Sequence, residues 1–179
     1  MQDGSQRFLL HINHIAELLQ TAQNKRTPIF WLYQNNFRTA LFMLEGLSKV
    51  YANMHDKKHF EKILKKTKAL EDAFGAYDYY YYYYHLYKSN INVPKPILQY
   101  FNLQLSNKKE LIQQLMNDDA WWSGIRIEKF KKRLQKGKWQ SNKKEVQLLH
   151  TAYKDQINKI LSFLKLTLPF TDIELHVHE

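Results

Sequence analysis

The side chains of this chain whose type and spacing suit chemistry are its cations and its tyrosines. The segment Ile125–Glu145 carries Arg126, Lys129, Lys131, Lys132, Arg133, Lys136, Lys138, Lys143 and Lys144 against only Glu128 and Glu145. A second segment, Asp56–Lys68, carries six lysines against Asp56 and Glu61. Downstream of it Tyr79 to Tyr84 form six consecutive tyrosines, and with Tyr77 and Tyr87 they place eight of the chain's twelve in one short stretch. Lysine and arginine neutralise phosphates through charge-assisted hydrogen bonds, and phenol hydroxyls add further donors. A polyanion is the ligand class that such residues suit. The competing reading of the tyrosine run is packing, because a helix that is apolar all round belongs between neighbours. The basic runs read equally as solvated faces. Both fall on amphipathic helices, which packing can gather into one positive field.

Other chemistries find less support. Eight histidines give three close pairs, His11 with His14, His55 with His59 and His176 with His178. A metal centre needs three or four converging ligands, so two at a time do not make one, even with Asp56 or Glu174 nearby. The absence of cysteine removes disulfides, thiol catalysis and cysteine-based zinc sites. No serine sits in a strand-turn-helix elbow, and no phosphate loop of the Walker type occurs. The acids Glu71 with Asp72, and Asp118 with Asp119, are sequence neighbours and diverge on a helix. The expectation is a non-enzymatic protein with no cofactor and no metal.

With 27 Lys and Arg against 17 Asp and Glu, the formal charge is +10. That excess points to anionic partners: inorganic polyphosphate first, nucleic acid less so, and an acidic protein as a further option. No apolar run approaches a membrane span, and the start lacks the pattern of a signal peptide, so no membrane partner and a cytoplasmic location are expected.

The elements that must position these residues read as helices. Only 5 glycines and 4 prolines punctuate 179 residues, and no clean alternation of β-branched residues appears. The chain is expected to be all-α, a bundle of about six to eight helices in one domain over 1–179, with a loosely ordered tail over 168–179. Phe8, Ile12, Ile15, Leu19 and Ala22 form the stripe of a first helix that starts near Ser5. Thr27 and Pro28 open a second, whose stripe continues through Phe30, Tyr33, Phe37, Ala40, Leu44, Leu47 and Tyr51. A third spans Lys57–Phe74, with Gly75 ending or kinking it before the tyrosine helix. Pro94 and Pro96 open the next, with a break expected at Ser106 and Asn107, and Asn117–Gly124 reads as a turn. A short basic helix follows with Ile127, Phe130 and Leu134 inward and its cations outward. Gly137 ends it. The last helix, capped by Ser141, has Val146, Leu149, Tyr153, Ile157, Ile160 and Leu164 as its buried stripe.

The segments LYQNNFRTALFMLEGLSKVY, Leu32 to Tyr51, and KALEDAFGAYD, Lys68 to Asp78, resemble the first repeat of the CHAD domain, the conserved-histidine α-helical domain. The resemblance covers Pro28 to Lys88, with a fainter match at Val146 to Leu164. It implies two related helical halves packed around a basic cleft that binds polyphosphate. On this match Asn35 stands at the family's histidine position, Arg38 keeps its first arginine, and Phe42, Met43 and Glu45 replace the arginine cluster one turn on. Lys68, Leu70, Phe74 and Gly75 fit the next motif, Asp78 stands for the Arg-Asp pair after it, and His150 and Lys154 stand for the second repeat's histidine and basic residue. Together with the basic runs, the resemblance gives a candidate polyanion site of Arg38, Lys62, Lys65, Lys68, Arg126, Lys129, Arg133, Lys136, His150 and Lys154. The alternative is a helical scaffold or protein-interaction module that has lost anion binding.

Overall fold

The computed structural model describes residues 4–54, 57–90, 92–136, 139 and 143–165. Of these, 88% are helical and none is in a strand, so the chain is an all-α bundle of seven described helices. Six belong to a first unit, Met1–Trp139: α1 (Gly4–Gln23), α2 (Pro28–Gln34), α3 (Phe37–Met54), α4 (Lys57–Lys88), α5 (Lys95–Asp118) and α6 (Ile125–Lys136). The seventh, α7 (Lys143–Lys165), belongs to a second unit, Gln140–Glu179.

In the first unit α4 is the spine. It packs along α3 on one side and α5 on another, while α1 lies on α3 and carries α6. The α1 stripe read from the spacing, Phe8, Ile12, Ile15, Leu19 and Ala22, is buried throughout. It meets Phe37, Leu41 and Leu44 of α3, Phe60, Ile63 and Phe74 of α4, and Ile127, Phe130 and Leu134 of α6 in one core. At one end Phe8, Tyr51, Phe60 and Trp139 form an aromatic cluster with ring centroids 5.2 to 5.7 Å apart. Gly4 is needed there, because a Cβ would sit 2.6 Å from the Tyr51 hydroxyl and 3.0 Å from the Trp139 ring.

Several sequence expectations are corrected. The helix from Pro28 does not run on to Tyr51: it stops at Gln34, and Asn36 turns the chain at φ 57 before α3 begins. Asparagine tolerates that left-handed conformation better than most residues. The break resets the face, so α2 buries Ile29 and Leu32 while Phe30 and Tyr33 are half-buried. Gly75 does not end its helix, since α4 continues through it for 32 residues in all. Nor do Ser106 and Asn107 break α5, where the Ser106 hydroxyl donates to the Asn102 carbonyl inside the helix at 3.1 Å.

The tyrosine run is not surrounded. Tyr77 is buried, but Tyr79 and Tyr82 are 54% and 60% exposed, because neighbours cover the end of α4 on only two sides. In α7, Val146, Tyr153, Ile157 and Ile160 are exposed rather than buried. The side chains of Leu149 and Leu164, and also Gly137, Ser141 and the tail, lie outside the described residues.

Candidate anion-binding site

The turn between α5 and α6 builds a charged interior in the first unit. Ala120, at φ 56, closes α5: its N–H donates to the Asn117 carbonyl and that of Trp121 to the Met116 carbonyl, both at 2.9 Å. This pairing is the Schellman ending, usually made by glycine, and it satisfies carbonyls that the last turn would otherwise leave free. It also turns Asp119 inward, leaving it 9% exposed. Arg126, read from sequence as an outward cation, is buried to the same degree. Its Nε donates to the Asp119 carbonyl at 2.9 Å and its Nη2 to Asp119 Oδ1 at 3.0 Å. Lys66 of α4 donates its Nζ to the same Oδ1. One carboxylate thus holds two cations from two helices.

A third cation has no such partner. Arg133 lies two turns beyond Arg126 on α6, half-buried, and its Nη1 is buried with no acceptor among the described residues. Burial, and then the neighbouring Arg126 charge, push its pKa below the ordinary arginine value. A buried guanidinium nitrogen without an acceptor is costly, and its planar fork matches phosphate and carboxylate oxygens. Around it, Arg126, Lys129, Arg133 and Lys136 recur at steps of three and four along α6, and Lys62 stands one turn before Lys66 on α4. Lys62, Lys129 and Lys136 are exposed and have no ion-pair partner among the described residues. The core of this site is three cations against Asp119, with further lysines at the rim.

Where α6 faces α1 there is a groove of about 560 Å³, whose lining includes Gln20, Gln23, Trp122, Lys129, Lys131 and Lys132. Gln23 Nε2 donates to the Trp122 carbonyl, while the Trp122 indole N–H is buried without an acceptor among the described residues. Lys131 is paired with Glu128 at 3.4 Å.

The remaining sequence candidates separate. Arg38 is committed: its Nε meets Glu71 Oε1 at 2.8 Å and its Nη1 meets Asp78 Oδ2 at 3.3 Å. Tyr33 donates its hydroxyl to the other Asp78 oxygen at 2.7 Å. The Arg38 guanidinium lies on Gly75, where a Cβ would come within 2.9 Å of Nη2. Lys68 is paired with Asp72 at 2.8 Å, which raises its pKa, and stands 4.0 Å from Glu45. Glu45 is buried and also paired with Lys49 at 2.9 Å, while Phe42 and Met43 are exposed. Lys65 is an exposed residue of α4, and His150 and Lys154 are exposed residues of α7 in the second unit. Sequence reasoning missed Lys66 and Asp119. The only signal was a carboxylate in a turn seven residues before an arginine.

Among the described residues no three His, Asp or Glu side chains converge on a common point. His11 is held below the usual histidine range by burial and then by its neighbour His14. His55, His176 and His178 lie outside the described residues. No described helix is long and apolar enough to cross a membrane. In comparisons with known proteins, no family model, curated protein sequence or solved structure matches the chain.

Proposed function

We propose that the protein binds a polyanion without transforming it, inorganic polyphosphate or a similar phosphate chain first, along the basic stripe of α6. The observation that carries this reading is the row of cations along one face of α6, where Lys129 and Lys136 are exposed and unpaired among the described residues beside an Arg126 already fixed by Asp119. Lys62, Lys129 and Lys136 take successive phosphates of the chain, and the half-buried Arg133 adds its positive charge beneath them. Affinity comes from charge-assisted hydrogen bonds and from counterions released as each phosphate is neutralised. The resemblance to the CHAD domain supports the ligand class. The site moves from the signature helix to α6, because Glu71 and Asp78 already occupy Arg38.

The test is a titration with polyphosphate at several salt concentrations, using variants shown by circular dichroism to be folded. Lys129→Glu with Arg133→Glu is expected to weaken binding more than Arg38→Glu and to lower the salt slope by about one unit for each phosphate that is no longer neutralised. Loss of binding in folded Arg38→Glu, with the double variant intact, would return the site to the signature helix. If the parent protein binds no polyanion at moderate salt, the scaffold reading takes over. The exposed apolar residues of α7, Val146, Tyr153, Ile157 and Ile160, favour that second reading.

A further inference from the structure

The tyrosine run has no part in the site on α6, and packing explains only some of it. Tyr77 and Tyr81 lie against Tyr33 of α2, with centroids 5.3 and 5.1 Å away. Tyr80, Tyr83 and Tyr87 lie against Phe101 of α5 at 6.0, 6.0 and 5.3 Å. This covered layer anchors a second one that packs on nothing further. Tyr79 rests on Tyr83 at 4.7 Å and edge-on to Tyr80 at 5.2 Å, Tyr82 stands edge-on to Tyr83 at 5.3 Å, and Tyr100 of α5 meets Tyr80 at 6.4 Å. Tyr79, Tyr82 and Tyr100 remain 54%, 60% and 51% exposed. Rings held against a packed layer lose little freedom when something stacks on them, and edge-on packing leaves ring faces open.

Between the flanking acids Asp78 and Glu110 the charge along this stretch has one sign. From Tyr79 to Lys109 the chain has Lys88, Lys95, Lys108 and Lys109 and not one Asp or Glu. Lys108 Nζ stands 5.9 Å from the Tyr80 ring and Lys88 Nζ 5.5 Å from the Tyr84 ring. Asp78, just before the run, is taken up by Arg38 and Tyr33. Open aromatic faces bordered by lysines fit a ligand that alternates flat π-systems with negative charges. A proline-rich peptide would use the rings and leave the lysines without a partner.

We infer that the exposed face of Tyr79, Tyr82 and Tyr100 is a stacking platform for unpaired bases of single-stranded nucleic acid, with the flanking lysines taking its phosphates. The inference is independent of the α6 site. It is tested with a labelled oligothymidylate and an abasic strand of equal length, which has the same charge and no bases. The oligothymidylate is expected to bind the parent protein at least about tenfold more tightly, since each stacked base contributes about fivefold to over a hundredfold. Tyr79→Ala, Tyr82→Ala and Tyr100→Ala together should remove that preference and leave polyphosphate affinity unchanged, whereas the three Tyr→Phe replacements should keep it. Lys129→Glu with Arg133→Glu should lower polyphosphate affinity and leave the preference in place, so failure at one site is distinguishable from failure at the other. Equal affinity for the two strands, or a preference that survives the folded alanine variant, would overturn the inference. So would binding of a proline-rich peptide but not of the oligothymidylate.

Discussion

Two glycines inside helices allow the Arg38 seat to be measured. Gly46 in α3 and Gly75 in α4 each become better helix formers as alanine, by about 1 kcal/mol. At Gly46 a new Cβ meets nothing within 4 Å, so Gly46→Ala is expected to stabilise the protein by about that amount. At Gly75 the new Cβ would lie 2.9 Å from Arg38 Nη2, 3.2 Å from Cζ and 3.3 Å from Nε, against the whole face of the guanidinium. That group cannot swing aside freely, because Glu71 holds it at 2.8 Å and Asp78 at 3.3 Å. Moving it leaves a mostly buried Glu71 without its charged donor, which costs roughly 1.5–3 kcal/mol; the lower end applies because Arg38 is half in solvent. Gly75→Ala should therefore be neutral to slightly destabilising, about 1.5–2 kcal/mol below Gly46→Ala. At this chain length the gap corresponds to roughly 3–8 °C in Tm, well within reach of thermal or urea unfolding followed by circular dichroism. In an Arg38→Ala background the penalty should vanish, and Gly75→Ala should gain the same ~1 kcal/mol as Gly46→Ala. Equal stabilisation by the two glycine replacements in the parent protein would refute the seat.

Ala120, at φ 56, carries the strain of a side chain in a left-handed position, so Ala120→Gly should raise the urea midpoint by an amount equivalent to about 1 kcal/mol, with the slope unchanged. At high pH, burial followed by the Tyr81 neighbour pushes the Tyr77 phenol up to about 12, and burial followed by the bond to Asp78 pushes Tyr33 up too. These groups lie above the unfolded value of 10.0, so their stabilisation is fully present below that pH and is lost as pH rises through the folded values. Tyrosinate absorbance followed together with circular dichroism should show Tyr33 and Tyr77 ionising only as helix is lost, read as the phenols missing from the Tyr33→Phe and Tyr77→Phe variants; their ionisation near pH 10.0 with the fold intact would contradict the burial argument.

What the sequence makes legible is set by how local the cause is. The α1 stripe needs only one unbroken period and one apolar face, and every stripe residue is buried. The break at Asn36 is hidden because apolar residues continue at helical spacing across it, and only the Asn-Asn pair betrays it. Gly75 reads as a breaker because glycine's usual reason is conformational, whereas here the reason is room for a guanidinium arriving from another helix. Arg126 counts as surface charge until Asp119, brought in by the α5 turn, supplies its partner. The tyrosine run looks enclosed because composition states how apolar a helix is, not from how many sides its neighbours come.

The aromatic cluster at the end of the first unit has a bearing on how the chain is made. Gly4 and Trp139 both close on Tyr51, so the beginning of α1 and the residue just past α6 are clasped by one side chain. Synthesis runs from one to the other, and domains are completed as units during translation. Helices α1, α3 and α4 can gather early, but Phe8 and Phe60 keep one flank open to solvent until the Trp139 indole has emerged. During that interval the flank that Trp139 covers in the finished unit stays bare, which gives a chaperone an aromatic surface to grip.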